Sequence, residues 1–231
     1  MSLGDYFQKH ATFHESNYFS HQSIALQRKY LFEHDKLDEM WTTYCDGISR
    51  GESAYYQERP FDYTTLRGDF DIKIKKEDAK KYKLTLDSHL YTESDLLDIV
   101  KMFFTGIAKT LHNVRPEQLV CFVLEKSGPV ETDTHIKSGF HVEFPFIMLS
   151  KEDLSVVVYP KLVSLYEEYD VFMRFGEAYS KGIFDSHILS NPWLMYGSKK
   201  SEAGEAYRLT KIIDHTMTET TLERVFAHRK L

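Results

Sequence analysis

The sequence predicts an α+β fold, and three observations carry that prediction. Apolar and polar residues alternate over residues 66–74 (Leu-Arg-Gly-Asp-Phe-Asp-Ile-Lys-Ile) and 137–145 (Lys-Ser-Gly-Phe-His-Val-Glu-Phe-Pro), which marks two half-buried strands. Apolar residues spaced three and four apart at Leu96, Val100, Phe103, Ile107 and Leu111 mark an amphipathic helix over residues 94–112. A second helix opens at a capping box, Ser150-Lys-Glu-Asp153, and carries Leu154, Val158, Leu162, Leu165 and Tyr169 on its buried side.

In chain order, residues 1–60 read as a helical N-terminal arm. The first twenty have no clear period. His10 and His14 stand at i and i+4, a spacing that can hold a metal on a helix, but no third ligand is nearby and a surface pair is expected. Ile24, Leu31, Leu37, Met40, Trp41 and Tyr44 predict one or two helices between residues 23 and 48, and Gly47, Gly51 and Pro60 then break the pattern. After the strand at 66–74 comes a basic run, Lys75, Lys76, Lys80, Lys81 and Lys83, which reads as a solvated loop or as a phosphate-backbone contact. Ser94 is a candidate N-cap for the next helix. Residues 119–125 (Leu-Val-Cys-Phe-Val-Leu-Glu) form a strand-length apolar run, and residues 128–133 a turn. A mixed segment with Arg174, Gly176 and Gly182 leads to Ile183-Phe184-Asp185 and Ser186-His187-Ile188. Residues 191–200 read as an apolar strand ending in a glycine turn with two lysines, residues 206–213 as another strand, and residues 221–231 as a short terminal helix.

Composition excludes several classes. With 231 residues, 42% hydrophobic and 14% aromatic, the chain can bury a substantial core and is not intrinsically disordered. No apolar run is long enough for a membrane span, no signal-peptide pattern opens the chain, and an intracellular location is expected. Cys45 and Cys121 lie far apart without a Cys-x-x-Cys pair, so buried free thiols are expected rather than a zinc or disulfide framework. A net charge of −6 argues against a generic nucleic-acid-coating protein. No P-loop, nucleophile elbow or dinucleotide fingerprint is present, nor any internal repeat.

The chemistry concentrates in the strand at 66–74. Alternate strand residues share a face, so Asp69 and Asp71 point together while Phe70 and Ile72 enter the core. Two neighbouring carboxylates repel unless a cation sits between them, and Mg²⁺ or Mn²⁺ prefers such hard oxygen ligands together with phosphate. The competing reading is a solvated strand face. In the strand at 137–145, Lys137, Ser138, Gly139 and His141 supply a cation, a hydroxyl, a close backbone approach and an imidazole donor, the components of an anion pocket. A lone strand histidine is otherwise an ordinary structural residue.

The ordered set Asp69-x-Asp71, Gly139-x-His141 and Asp185, followed by Trp193-Leu-Met-Tyr-Gly-Ser-Lys-Lys200, resembles the archaeo-eukaryotic primase superfamily. Within it, the set is most similar to the N-terminal primase domain of the primase–helicases of large DNA viruses. The resemblance covers about residues 60–213 and implies that Asp69, Asp71 and Asp185 are catalytic and hold two metals, Mg²⁺ or Mn²⁺. It further implies that Gly139 and His141, with Lys137, Ser138, Ser198, Lys199 and Lys200, contact the nucleotide. Arg67 and Gly68 depart from the apolar residues usual before the first motif, and zinc-binding cysteines are absent.

The implied fold is a ferredoxin-like or RRM-like sheet joined to an αβ unit, with residues 61–231 as the catalytic domain. The implied activity is template-directed synthesis of primers for DNA replication. Its partners would be single-stranded DNA, nucleoside triphosphates and a helicase domain in the same chain or complex, without a membrane; a viral source would place it in the host cytoplasm or at a replication site. A non-catalytic replication-initiation module and another Asp-x-Asp transferase are the alternatives.

Overall fold

The computed structural model describes residues 1–13, 17–185 and 187–227. His14, Ser186 and the end of the expected terminal helix lie outside the described residues. The chain begins with α1 (Leu3–Lys9), β1 (Ala11–Thr12), β2 (His21–Ser23), β3 (Arg28–Tyr30), α2 (Leu37–Ser49) and β4 (Gln57–Glu58). It continues with β5 (Tyr63–Lys75), α3 (Lys76–Ala79), α4 (Glu93–Thr110), β6 (Cys121–Glu125), β7 (Val130–Glu131) and β8 (His135–Ser150). The remainder is α5 (Lys151–Asp153), α6 (Tyr159–Tyr169), α7 (Glu177–Ser180), β9 (Trp193–Leu194), β10 (Arg208–Ile213) and α8 (Leu222–Phe226). The class is α+β, with two sheets and several helices.

Two compact units divide the chain: residues 1–61 with 189–208, and residues 62–188 with 209–231. In the first unit a five-stranded sheet runs β1-β3-β2-β4-β9. The expected helical arm is therefore a mixed unit. The segment expected to start a helix at Ser23 is a hairpin, β2 to β3, in which Ile24 and Leu26 face solvent. Helical spacing misled there because it counted Ile24, which projects from a turn. Tyr30 and Phe32, at strand spacing, are the buried ones, and helix α2 begins only at Leu37. The core is aromatic: Phe7 stacks on Tyr56 with centroids 3.7 Å apart and meets Tyr30 and Phe32 edge-on. His10 packs its ring on Phe32 at 4.4 Å. Cys45 is exposed, contrary to the expectation of burial, because it follows the buried Tyr44 by one residue and so points about 100° away around α2.

The second unit holds the sheet β10-β6-β8-β5, with β7 added to β8. Strands β5 and β8 pair antiparallel over nearly their whole length, and the register jumps between Thr65 and Leu66. The residues of β8 skipped by that jump begin at Pro145, which has no N–H to give the ladder. Helix α4 starts one turn-edge earlier than expected: Thr92, not Ser94, is the N-cap, because Thr92 Oγ1 accepts from the Asp95 N–H while the Asp95 carboxylate accepts from the Thr92 N–H. The Arg174 guanidinium grips the same Asp95 with two 2.7 Å hydrogen bonds. The helix buries Leu96, Ile99, Val100, Phe103 and Ile107, each contributing about 1.5–3 kcal/mol. Phe103 stacks on Phe144 at 5.1 Å and meets Phe70 edge-on at 6.3 Å. Gly68 permits this: a Cβ there would fall 2.7 Å from Phe103, so the residue that departs from the usual apolar pattern makes room for an aromatic ring. Cys121 is buried in β6 as expected, and burial pushes its thiol well above the ordinary value.

Candidate functional site

Along β5 the side chains alternate as the sequence requires, with Leu66, Gly68, Phe70, Ile72 and Ile74 buried and Arg67, Asp69 and Asp71 half-buried on the opposite face. The ladder with β8 sets the cross-strand rows on that polar face: Arg67 opposite Glu143, Asp69 opposite His141, Asp71 opposite Gly139, and Lys73 opposite Lys137. Residues directly opposite in an antiparallel pair share a face. The face therefore passes from an acidic stretch into a cationic one over two rows.

The third carboxylate joins from the other edge of β5. Phe184 bridges Phe70 antiparallel, the Asp71 N–H donates to the Ile183 carbonyl at 2.8 Å, and the Asp185 N–H donates to the Asp69 carbonyl at 3.0 Å. A bridge centred on Phe70 and Phe184 places Asp185 beside Asp69, on the same side. On the core side Phe184, Phe70 and Phe140 form one stack, with centroid separations of 5.0 and 4.9 Å. The acidic side thus reads Asp185, Asp69, His141 across three segments that are remote in sequence.

His141 is buried, and its Nε2 lies 3.4 Å from Asp69 Oδ1. Lys73 Nζ lies 2.9 Å from Asp71 Oδ2. That hydrogen bond raises the Lys73 ammonium above its ordinary value; burial opposes it, and the charges of Asp71, Asp69 and Asp185 add to it. Asp185 Oδ1 accepts from the His187 N–H at 2.8 Å, and the exposed His187 ring stands 3.5 Å from the same oxygen. Gly139 allows a close approach of β8 to β5 beside Asp71: a Cβ there would lie 2.4 Å from the Phe70 carbonyl oxygen and 3.2 Å from Asp71 Oδ1. The small residue expected in this strand is a steric necessity.

Not every expected site residue faces this point. Lys137, Gly139 and His141 share the acidic face, but Ser138 lies on the other, where its hydroxyl is 3.2 Å from His89 Nδ1. The four expected components of an anion pocket are thus three, because strand alternation sends the hydroxyl inward. Ser198, Lys199 and Lys200 belong to the first unit. Ser198 is fully buried and its Oγ is engaged by Tyr44 Oη and the Tyr56 N–H, both at 2.9 Å, so it pins that unit's core and offers no exposed hydroxyl to a ligand. Lys199 is half-buried and Lys200 exposed. In the basic run, Lys75 pairs with Glu77 at 3.4 Å and Lys76 with Glu131 at 2.8 Å, which leaves less positive field than the sequence suggested. The residue that sequence reasoning passed over is Lys73. Its signal was the same period of two that put Asp69 and Asp71 together.

A divalent cation is the group this donor set suits. The three carboxylates supply hard oxygens on one face, and the Lys73 ammonium already stands in for positive charge at Asp71. Among the described residues, no three His, Cys, Asp or Glu side chains are yet gathered around one point as a bound metal needs. The backbone places the three carboxylates on one face.

Residues 20–213 match a family model described as the C962R protein N-terminal AEP domain. The chain is 27% identical over 206 residues to "Putative helicase 184R" of Invertebrate iridescent virus 6, covering 83% of this chain and 21% of that protein. It is 31% identical over 198 residues to "Putative helicase 121R" of Invertebrate iridescent virus 3, covering 82% and 20%. With "Putative helicase L207/L206" of Acanthamoeba polyphaga mimivirus it shares 27% identity over 181 residues, covering 78% and 18%. The chain spans about a fifth of the length of these relatives. Among the described residues, no helix is long and apolar enough to cross a membrane.

Proposed function

The chain belongs to the family of C962R protein N-terminal AEP domains, the archaeo-eukaryotic primase type, and from that membership we propose that it catalyses metal-dependent, template-directed nucleotidyl transfer to make primers for DNA replication. The observation that carries the reading is the bridge between Phe184 and Phe70, which brings Asp185 to the side of Asp69 on the face that also presents Asp71.

Asp69, Asp71 and Asp185 would hold Mg²⁺ or Mn²⁺. Bound there, such ions would supply activation of an attacking 3′-hydroxyl and neutralisation of a departing pyrophosphate. The chain's own residues act around them. His141, with Nε2 3.4 Å from Asp69 Oδ1, would orient that carboxylate before substrate arrives. Gly139 lets the β8 backbone lie closer to Phe70 and Asp71 than any side chain would allow. Lys73 and Lys137, paired across the strands one row beyond Asp71, offer two cations to a triphosphate lying along the ladder. Single-stranded DNA is the proposed template and nucleoside triphosphates the substrates. The helicase names of the relatives support a helicase as partner, fused or separate.

The test is incubation with Mn²⁺, a single-stranded template and labelled nucleotides. Primer ladders support the reading; template binding without synthesis favours a non-catalytic initiation module, and the absence of both favours another Asp-x-Asp transferase.

A further inference from the structure

Lys73 is not the only lysine in its row. It stands directly opposite Lys137, and like charges directly opposite in a sheet repel. The side chain relieves that repulsion by folding back along its own strand to Asp71, two residues away, where Nζ lies 2.9 Å from Oδ2. Both ends of this pair are accessible: the Lys73 side chain is 51% exposed and that of Asp71 39%. An ion pair so open to water is weak, and a divalent cation or a polyanion can displace it.

Lys73 therefore has two stations within reach. One is the Asp71 carboxylate. The other is the space over the row it shares with Lys137, which becomes favourable when a multiply charged anion lies across both ammonium groups. We propose that Lys73 is an exchangeable counter-ion, a positioning residue that holds Asp71 until a triphosphate draws it to the Lys137 row and frees the carboxylate for metal. The inference rests on the metal-site reading above. It makes metal and nucleotide binding mutually reinforcing, since each removes an obstacle to the other.

The same observation accounts for the open arrangement of the carboxylates. Among the described residues no metal-ready cluster of three ligands exists, and Asp71 is turned to an ammonium on its own strand.

The experiment measures Mn²⁺ alone, without nucleotide, by electron paramagnetic resonance of the free ion. The proteins are the wild type, Lys73→Met and Lys73→Gln, with Lys75→Met as a control that removes the same charge one strand repeat away. If Lys73 guards Asp71, both Lys73 variants bind Mn²⁺ about three- to tenfold more tightly than the wild type, the range expected when an exposed pair and its nearby charge are removed. The control stays within about twofold. At saturating Mn²⁺ the Lys73 variants bind a non-incorporable nucleoside triphosphate several-fold more weakly, the opposite direction, which a merely structural defect would not produce. Equal or weaker Mn²⁺ binding by the Lys73 variants, with the wild type binding well, overturns the counter-ion role alone. An equal gain in Lys75→Met overturns it too, because the effect would then be a general field. Absence of Mn²⁺ binding in every protein overturns both this inference and the metal-site reading.

Discussion

Replacing Gly139 by alanine adds one methyl group at the most confined point of the acidic face. The new Cβ would stand 2.4 Å from the Phe70 carbonyl oxygen, at least 0.6 Å inside the 3.0 Å below which such contacts do not occur, and 3.2 Å from Asp71 Oδ1. A flexible side chain could swing aside. The obstacle here is a backbone carbonyl in a strand paired on both edges, to β8 by the ladder and to Ile183 and Asp185 by two hydrogen bonds. Overpacking of this kind costs about 1–3 kcal/mol, and the rigidity of the obstacle points to the upper half of that range. For a chain of this size that corresponds to a fall in Tm of roughly 4–10 °C. The strands must part beside Asp71, so primer synthesis should fall more than the loss of folded protein explains, by about tenfold or more. Thermal melts read the first effect, and initial rates at a temperature where the variant is fully folded read the second. A Gly139→Ala protein that melts within a degree of the wild type and synthesises normally would refute the close-approach reasoning.

Other outcomes follow from the same geometry. His141→Ala should raise the Mn²⁺ concentration needed for half-maximal synthesis by about 10–100-fold, as expected when a ligand loses its brace; an effect confined to the nucleotide KM would instead place His141 on the triphosphate. Asp185→Asn keeps size but removes a ligand charge, so kcat should fall far more than KM changes, and the reverse pattern would remove Asp185 from the metal set. Phe103→Ala should cost about 3–5 kcal/mol, read by urea denaturation, because the ring is fully buried between Phe70, Phe144 and Phe184; a loss under about 1 kcal/mol would contradict the packing. His21 is fully buried, and burial lowers it from 6.5 to about 4. The unfolded chain takes up this proton first, so stability is intact above about pH 7 and declines as pH falls from 6.5 towards 4, by roughly 3 kcal/mol in total. His21→Phe should lose that component of the pH profile; an unchanged profile would show that His21 does not carry it.

Much of the second unit was legible because its signals are local. Period-two alternation located β5 and β8 and the sharing of a face by Asp69 and Asp71, and period-3.6 spacing located α4 and α6. Gly68, which broke the usual pattern before the acidic pair, was opaque in sequence, since the reason for it is the ring of Phe103 packed from a helix. The juxtaposition of Asp185 with Asp69 could be inferred only by resemblance, because a bridge between distant segments has no local signature. Ser138 misled for the opposite reason: its neighbours in sequence suggested a shared pocket, whereas alternation sends it to His89. The first unit was the least legible. Its β2 to β3 hairpin is short and its solvent-facing Ile24 stands seven residues before Leu31, a helical spacing, so the real strand signal, Tyr30 and Phe32, was outvoted.

The most direct test of the metal-dependent primase reading compares the wild type with Asp71→Asn, in Mn²⁺ with a single-stranded template and labelled nucleotides, after melts establish that both are folded. Asparagine keeps the shape of the side chain while removing the charge, on a half-exposed face where the fold does not depend on it. The expected result is a primer ladder from the wild type that disappears with chelator, and a loss of at least about a hundredfold in Asp71→Asn at unchanged Tm. Undiminished ladders from Asp71→Asn, or synthesis that persists with chelator, would contradict the assignment.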